Sequence, residues 1–117
     1  MKYLVTDDSK LARLSLIKSL KMHIGNDEIF QATNGLEALD KMRENKVDVV
    51  FLDLTMPVMD GYETLPKLLE VNSKVKIVVV SADVQALAKE RVIKLGAKLH
   101  VNKPINSDKM QEILEVI

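Results

Sequence analysis

Short apolar runs recur along the chain, each stopped by a polar residue. Tyr3-Leu4-Val5 stops at Asp7-Asp8, and Val47-Asp48-Val49-Val50-Phe51-Leu52 stops at Asp53. Val75-Lys76-Ile77-Val78-Val79-Val80 stops at Ser81, and Leu99-His100-Val101 at Lys103. Runs of this length, bounded by turn residues and separated by helical patterns, read as strands buried on both faces. The expected strands cover about 2–7, 28–32, 47–53, 75–81 and 98–102.

Between them the period changes to that of a helix. Leu11, Leu14, Ile17 and Leu20 form an apolar stripe in a helix expected over about 9–24, with Gly25 as its C-terminal stop. Asn34 reads as the N-cap of a second helix, with Glu37 at the reciprocal capping position. A fourth helix is expected over about 84–95, ending at Gly96, and a fifth after Asn106-Ser107, either of which can cap it. The third is less regular. Asp60-Gly61 marks a turn, but Pro66 would be interior to a helix begun at Gly61, at a cost of ~3 kcal/mol or more. Either that helix kinks, or Thr64 caps a later start with Pro66 in its first turn; the later start is the preferred reading.

Five strands alternating with five helices imply an α/β three-layer sandwich, with a parallel sheet covered on both faces. Right-handed crossovers favour the flavodoxin-like order 2-1-3-4-5, with strands 1 and 3 adjacent at the switch point. Ligands of open α/β sheets bind beyond the carboxyl ends of the strands. Asp7, Asp8, Asp53, Ser81 and Lys103 are therefore expected in one crevice.

Composition narrows what that crevice serves. The 117 residues suit a single domain spanning 1–117. No apolar run approaches the ~20 residues of a membrane span, and the N-terminus lacks the apolar region of a secretory signal. Cysteine is absent, which excludes disulfides and thiolate metal sites; the cytoplasm is the default location. Seventeen basic residues balance seventeen acidic ones and are spread over several helices, which argues against direct nucleic-acid binding.

Asp7, Asp8 and Asp53, brought together, raise one another's pKa unless something compensates. A divalent cation is one compensation, and an all-oxygen ligand set favours Mg²⁺, Mn²⁺ or Ca²⁺ over zinc. The amine of Lys103 is another, suited to a phosphate oxygen. Metal, amine and the Ser81 hydroxyl around one carboxylate suit phosphoryl transfer, with an aspartate as nucleophile.

With these residues in hand, the chain resembles a response-regulator receiver domain over essentially its whole length. The matching pieces are Asp7-Asp8, the stretch Leu52-Asp53-Leu54-Thr55-Met56-Pro57-Val58-Met59-Asp60-Gly61, Ser81-Ala82 and Lys103-Pro104. The resemblance implies that Asp53 accepts a phosphoryl group from a sensor histidine kinase. It implies Mg²⁺ (or Mn²⁺) on Asp8, Asp53 and the Thr55 backbone carbonyl, with Asp7 acting through water. Lys103 would contact Asp53 and then the phosphate, Ser81 would swing to the phosphate, and the Lys103-Pro104 peptide would be cis. The output would be a face of helix 4, strand 5 and helix 5 that binds a downstream target protein, with chemotaxis one candidate pathway and a monomer the expected state. Where this chain has His100 the family usually has an aromatic ring that turns inward on activation. His100 is therefore expected to join Ser81 as a switch residue with a smaller ring, or to add pH sensitivity, against the alternative of an edge-strand histidine pointing at solvent. Ile105 stands where an aromatic is common, so the output surface is expected to be altered. Thr55 and Asp83 occupy positions that tune phosphate lifetime in relatives, and they differ from the Asn and Glu of the best-known chemotaxis regulator. His23 receives no role.

Other classes compete. A relay intermediate would pass its phosphate to a histidine phosphotransfer protein. A metal-dependent phosphohydrolase commonly needs a second aspartate where Thr55 stands, and a flavodoxin-like cofactor binder needs a hydroxyl- and glycine-rich phosphate loop where Asp7-Asp8 stand. A receiver-fold module that never carries phosphate would not require Asp53, Ser81 and Lys103 together. The expected role is a switch, not a classical enzyme, with intrinsic phosphotransfer and self-dephosphorylation.

Overall fold

The computed structural model describes residues 1–82 and 85–117. Five strands are present: β1 (Lys2–Thr6), β2 (Glu28–Ala32), β3 (Val49–Leu52), β4 (Lys76–Ser81) and β5 (Leu99–Asn102). Five helices alternate with them: α1 (Lys10–Lys21), α2 (Gly35–Glu44), α3 (Gly61–Val71), α4 (Ala86–Leu95) and α5 (Ser107–Val116). All neighbouring strands pair in parallel, in the order β2-β1-β3-β4-β5 expected from the sequence.

Alternation of side chains across the pleat divides the core in two. Leu4, Val50, Leu52, Ile77 and Val79 enter one layer with Leu39, Leu65, Leu68 and Val92 from α2, α3 and α4. Tyr3, Val5, Val49, Phe51, Val78 and Val80 enter the other with Ile17, Leu20, Met110 and Ile113 from α1 and α5. A slip of one residue in a strand would exchange its side chains between the two layers. Among the described residues no helix is long and apolar enough to cross a membrane.

Three helix starts follow local chemistry. The side chains of Ser9, Asn34 and Asn106 accept from the backbone N–H groups of Ala12, Glu37 and Lys109. Glu37 reaches back from α2, but its carboxylate accepts from the N–H of Thr33, one residue before the cap. That bond is the leading reason why the Glu37 carboxyl lies below the usual carboxylate range. Gly96 ends α4 in the left-handed region at φ 114°, as its position after the last periodic residue implies.

Three expectations need correction. Thr64 does not cap α3: Asp60 does, its side chain accepting from Glu63 N–H at 2.9 Å, and Pro66 lies inside the helix. Thr64 is buried in the first turn, its hydroxyl donating to the Asp60 carbonyl at 2.6 Å. Pro66, the sixth residue of α3, removes an N–H that the helix would otherwise use, and the Asp60 cap and the Thr64 bond recover part of that loss. The stripe of α1 is only half a core face: Ile17 and Leu20 are buried, whereas Leu11 is 81% exposed and Leu14 46%. α1 also stops at Lys21, with Met22 as its C-cap rather than Gly25. The start expected for helix 4 at 84 lies outside the described residues.

The loop from β3 to α3 holds a strained residue. Val58 has φ 70°, and the Met59 N–H donates to the Pro57 carbonyl at 2.7 Å across it. That is the strained γ-turn, adopted here by a β-branched residue that is 72% exposed. Glycine tolerates positive φ at no steric cost but loses more entropy on folding. Val58→Gly is expected to stabilise the chain by about 1 kcal/mol, since relieved strain of about 1–3 kcal/mol outweighs the added entropy cost. Thermal or urea unfolding of the two proteins measures this; an equal or lower midpoint for the glycine variant would contradict it.

Candidate functional site

β1 and β3 are neighbours, with Thr6 opposite Leu52. The residues that follow them, Asp7 and Asp53, are therefore carried side by side over the carboxyl edge of the sheet. The Asp53 N–H donates back to the Thr6 carbonyl at 3.0 Å, and the Asp7 N–H to the Ala32 carbonyl at 3.1 Å. Both aspartates are buried, while Asp8, one step further into the loop, is exposed.

Carboxylate oxygens of Asp7, Asp8 and Asp53 all lie within 4.8 Å of one another. Three hard oxygen donors this close form a set suited to a divalent cation such as Mg²⁺. Thr55 lies two residues beyond Asp53, exposed, in the loop that returns to α3. Gly61 lets that return pass close beneath the site. A Cβ there would run into the Asp53 carbonyl oxygen and the Leu54 backbone, so any larger residue would displace the segment carrying Asp53.

Lys103 enters from the loop after β5. Its Nζ donates to Asp7 at 2.7 Å and lies 3.3 Å from Asp53, so one ammonium bridges both buried carboxylates. Burial pulls the Lys103 pKa down, but the hydrogen bond to Asp7 and the charges of Asp53 and Asp7 outweigh it and raise the value. The amine therefore stays cationic near neutral pH. The peptide bond from Lys103 to Pro104 is cis. Ser81 ends β4 and is buried, and its carbonyl accepts from the Lys103 N–H at 2.9 Å. Four strand ends thus meet at one place, as the sequence pattern implied.

The remaining residues singled out in the sequence fall elsewhere. His100 is half-buried on β5, opposite Val79, in a groove shared with Lys109, Glu112, Ile113 and Val116 of α5. Ile105 is 8% exposed, packed in the layer beneath α1 and α5, because the chain turns inward after Pro104. Asp83 lies outside the described residues. His23, assigned no role, joins two helices: its Nε2 is 3.0 Å from both the carbonyl and the hydroxyl oxygen of Ser107.

Two contacts were missed altogether. The Ser9 N–H donates to Asp7 Oδ1 at 2.9 Å, and the Arg13 guanidinium donates to the Asp7 carbonyl at 2.8 Å. Ser9 carries a legible signal as a cap residue two positions after an aspartate. Arg13 carries none, because its partners depend on how β2 and α1 pack.

The Asp53 carboxyl is held above the usual carboxylate range, first by burial and then by the charge of Asp7. Lys103 and the Leu54 N–H pull it down without cancelling that. A carboxyl whose pKa is higher in the folded chain than in the unfolded one favours the fold when protonated. That contribution is fully present below the unfolded value of about 4 and is lost as pH rises through the elevated folded value. In EDTA, Asp53→Asn is therefore expected to melt higher than the wild type at pH 7, with the gap narrowing as pH falls towards 4. Melting curves of both proteins across this range check it; a gap independent of pH would refute the burial argument.

Comparison with known proteins agrees with this geometry. The family model for the response regulator receiver domain matches residues 3–115. The chain is 37% identical to the chemotaxis protein CheY of Listeria monocytogenes over 98% of its own length and 96% of that protein's. Among solved structures it superposes on the chemotaxis protein CheY4 of Vibrio cholerae with a TM-score of 0.87 at 27% identity, covering 97% of this chain and 95% of that one. It superposes on a chain of the CheX–CheY–BeF3–Mg²⁺ complex from Borrelia burgdorferi with a TM-score of 0.84 at 26% identity, covering 99% of this chain and 85% of that one.

Proposed function

The chain belongs to the response regulator receiver domain family, and we propose on that premise that it is a phosphate-gated switch in two-component signalling, with residues 1–117 forming one receiver unit. A sensor histidine kinase donates the phosphoryl group and a downstream target protein reads the result. Similarity to chemotaxis proteins favours a chemotaxis pathway. The protein works as a monomer in the cytoplasm, without touching nucleic acid. The observation that carries this reading is the bridge of Lys103 across Asp7 and Asp53, beside the oxygen donors of Asp8.

Asp53 is the nucleophile. One of its carboxylate oxygens attacks the phosphorus of a phosphohistidine, and an acyl phosphate forms as the phosphorus–nitrogen bond breaks. The bonding pair leaves with the imidazole, which takes up a proton. Asp8, Asp53 and the Thr55 carbonyl would hold Mg²⁺ (or Mn²⁺), and Asp7 would act through a water. The cation, when bound, neutralises the negative charge that gathers where Asp53 meets a phosphate. Lys103, already cationic and 3.3 Å from Asp53, shifts onto a phosphoryl oxygen as it forms. Ser81, at the end of the strand next to β3, donates its hydroxyl to another. His100 lies on β5 beside that strand, so movement at Ser81 passes to the face formed by α4, β5 and α5. Moving such a face from 1% to 99% active takes about 5.5 kcal/mol of differential stabilisation.

Incubation with acetyl phosphate and Mg²⁺ is expected to add the mass of one phosphoryl group to the wild type, stable to acid and labile to hydroxylamine. Asp53→Asn and wild type in EDTA are expected to gain none. Intact-mass spectrometry reads the result, and equal labelling of Asp53→Asn would refute Asp53 as the acceptor.

A further inference from the structure

Arg13 takes no part in the chemistry above, yet it touches the acidic site. It lies near the start of α1, half-buried, and its guanidinium is held at two points. Nε donates to Gln31 Oε1 on β2 at 3.0 Å, and Nη1 donates to the Asp7 carbonyl at 2.8 Å. Among the described ion pairs none involves Arg13. The arginine fork is here spent on a side-chain amide and a backbone carbonyl, and its charge reaches a carboxylate, that of Glu37, only through space.

The carbonyl that it grips belongs to the peptide linking Asp7 to Asp8. Asp7 is secured on every other side: its N–H by Ala32, Oδ1 by Ser9 and Oδ2 by Lys103. Asp8 differs. It is exposed, and among the described hydrogen bonds none holds its carboxylate. The direction of its side chain therefore depends on the backbone that carries it. A peptide unit is planar from one Cα to the next, so fixing the Asp7 carbonyl fixes where the Asp8 Cα lies.

We propose that Arg13 is a positioning residue for the divalent cation site: braced on Gln31, it pins the Asp7–Asp8 peptide and thereby presents the Asp8 carboxylate to the ion. This rests on the cation site proposed above. Lysine cannot substitute, because only a planar fork offers two donors in fixed geometry to acceptors on two elements. Outer contacts that orient metal ligands are typically worth about 10–100-fold in affinity. Arg13 also carries a positive charge, which by itself repels a cation. The two effects have opposite signs, so mutation separates them.

Calorimetric titration with MgCl₂ at pH 7, alongside melting points, tests this. Arg13→Lys keeps the charge and loses the fork; Gln31→Ala keeps the charge and releases only Nε. Both are expected to bind Mg²⁺ more weakly than the wild type, Arg13→Lys by about tenfold and Gln31→Ala by less, while melting within about 2 °C of it. Tighter binding by Arg13→Gln would mean that charge outweighs positioning, and overturns the proposal. Weakening confined to variants that also melt earlier makes the role merely structural and overturns it as well. No binding by the wild type overturns the cation reading and this inference with it. Wild-type binding undiminished in Arg13→Lys and Gln31→Ala overturns the inference alone.

Discussion

One ammonium holds together what the sheet forces into conflict. Because Thr6 pairs with Leu52, Asp7 and Asp53 emerge side by side and buried, and neither can move away without breaking the β1–β3 ladder. Two carboxylates in that position repel one another and lose hydration. Lys103 reaches over from the loop after β5 to lie between them. Loss of that amine would leave two buried negative charges facing each other, which costs more than the surface ion pairs elsewhere in the chain contribute. The compensation is partial, since burial and the Asp7 charge still hold the Asp53 carboxyl above its ordinary range. The Asp7 charge is the electrostatic part of that excess, and it is the part that a divalent cation would offset.

Much of this was legible because burial leaves a strong trace in sequence. Strands covered on both faces must be apolar throughout, so β3 and β4 announced themselves and strand order followed from crossover handedness. The residues ending those strands were identified for the same reason: a polar group after a buried strand stands at the carboxyl edge. What escaped depends on packing between elements. Leu11 and Leu14 share the period of Ile17 and Leu20, but α1 lies across the sheet so that only its later turns face the core. Ile105 follows a proline in a loop, where exposure is the ordinary expectation, and it is buried because the chain bends under α1. Arg13 and Gln31 are 18 residues apart, and no local rule joins them. Pro66 misled in the opposite direction. A general rule against interior proline outweighed the Asp60-Gly61 start, yet α3 begins at Gly61, capped by Asp60, and carries Pro66 inside it.

The loop between β3 and α3 shows how a site can be built against local preference. Val58 adopts a γ-turn that disfavours valine, and Gly61 lies where no side chain fits beside the Asp53 backbone. Strain of this kind persists only where surrounding structure over-determines it. Here Met56 and Met59 are buried on either side of Val58, and Asp60 is fixed as the cap of α3. Anchors on both sides leave the residue between them no room to relax. The same anchors keep Thr55 on a short excursion directly beyond Asp53, where the proposed switch needs its carbonyl.

The helix that follows Ser81 is anchored differently. α2 buries Ala38, Leu39 and Met42 and starts from a side-chain cap, whereas α4 buries only Ala88 and Val92 and starts at Gln85, a poor N-cap residue type. Against α3 it adds to fully buried Val92, packed in the layer of Leu65 and Leu68, the guanidinium of Arg91 over the ring of Tyr62 at 3.9 Å and Gly96 beside Leu69. A cation–π contact near the surface is worth about 0.5–1 kcal/mol, well below the about 1.5–3 kcal/mol from burying one large aliphatic side chain. Elements with few buried contacts open at lower free energy than the rest of a fold. In the proposed switch α4 is part of the face that responds, and it follows Ser81, one of the groups proposed to sense the phosphate. With fewer buried side chains than α2, α4 is the element that a change at Ser81 would displace at lower cost.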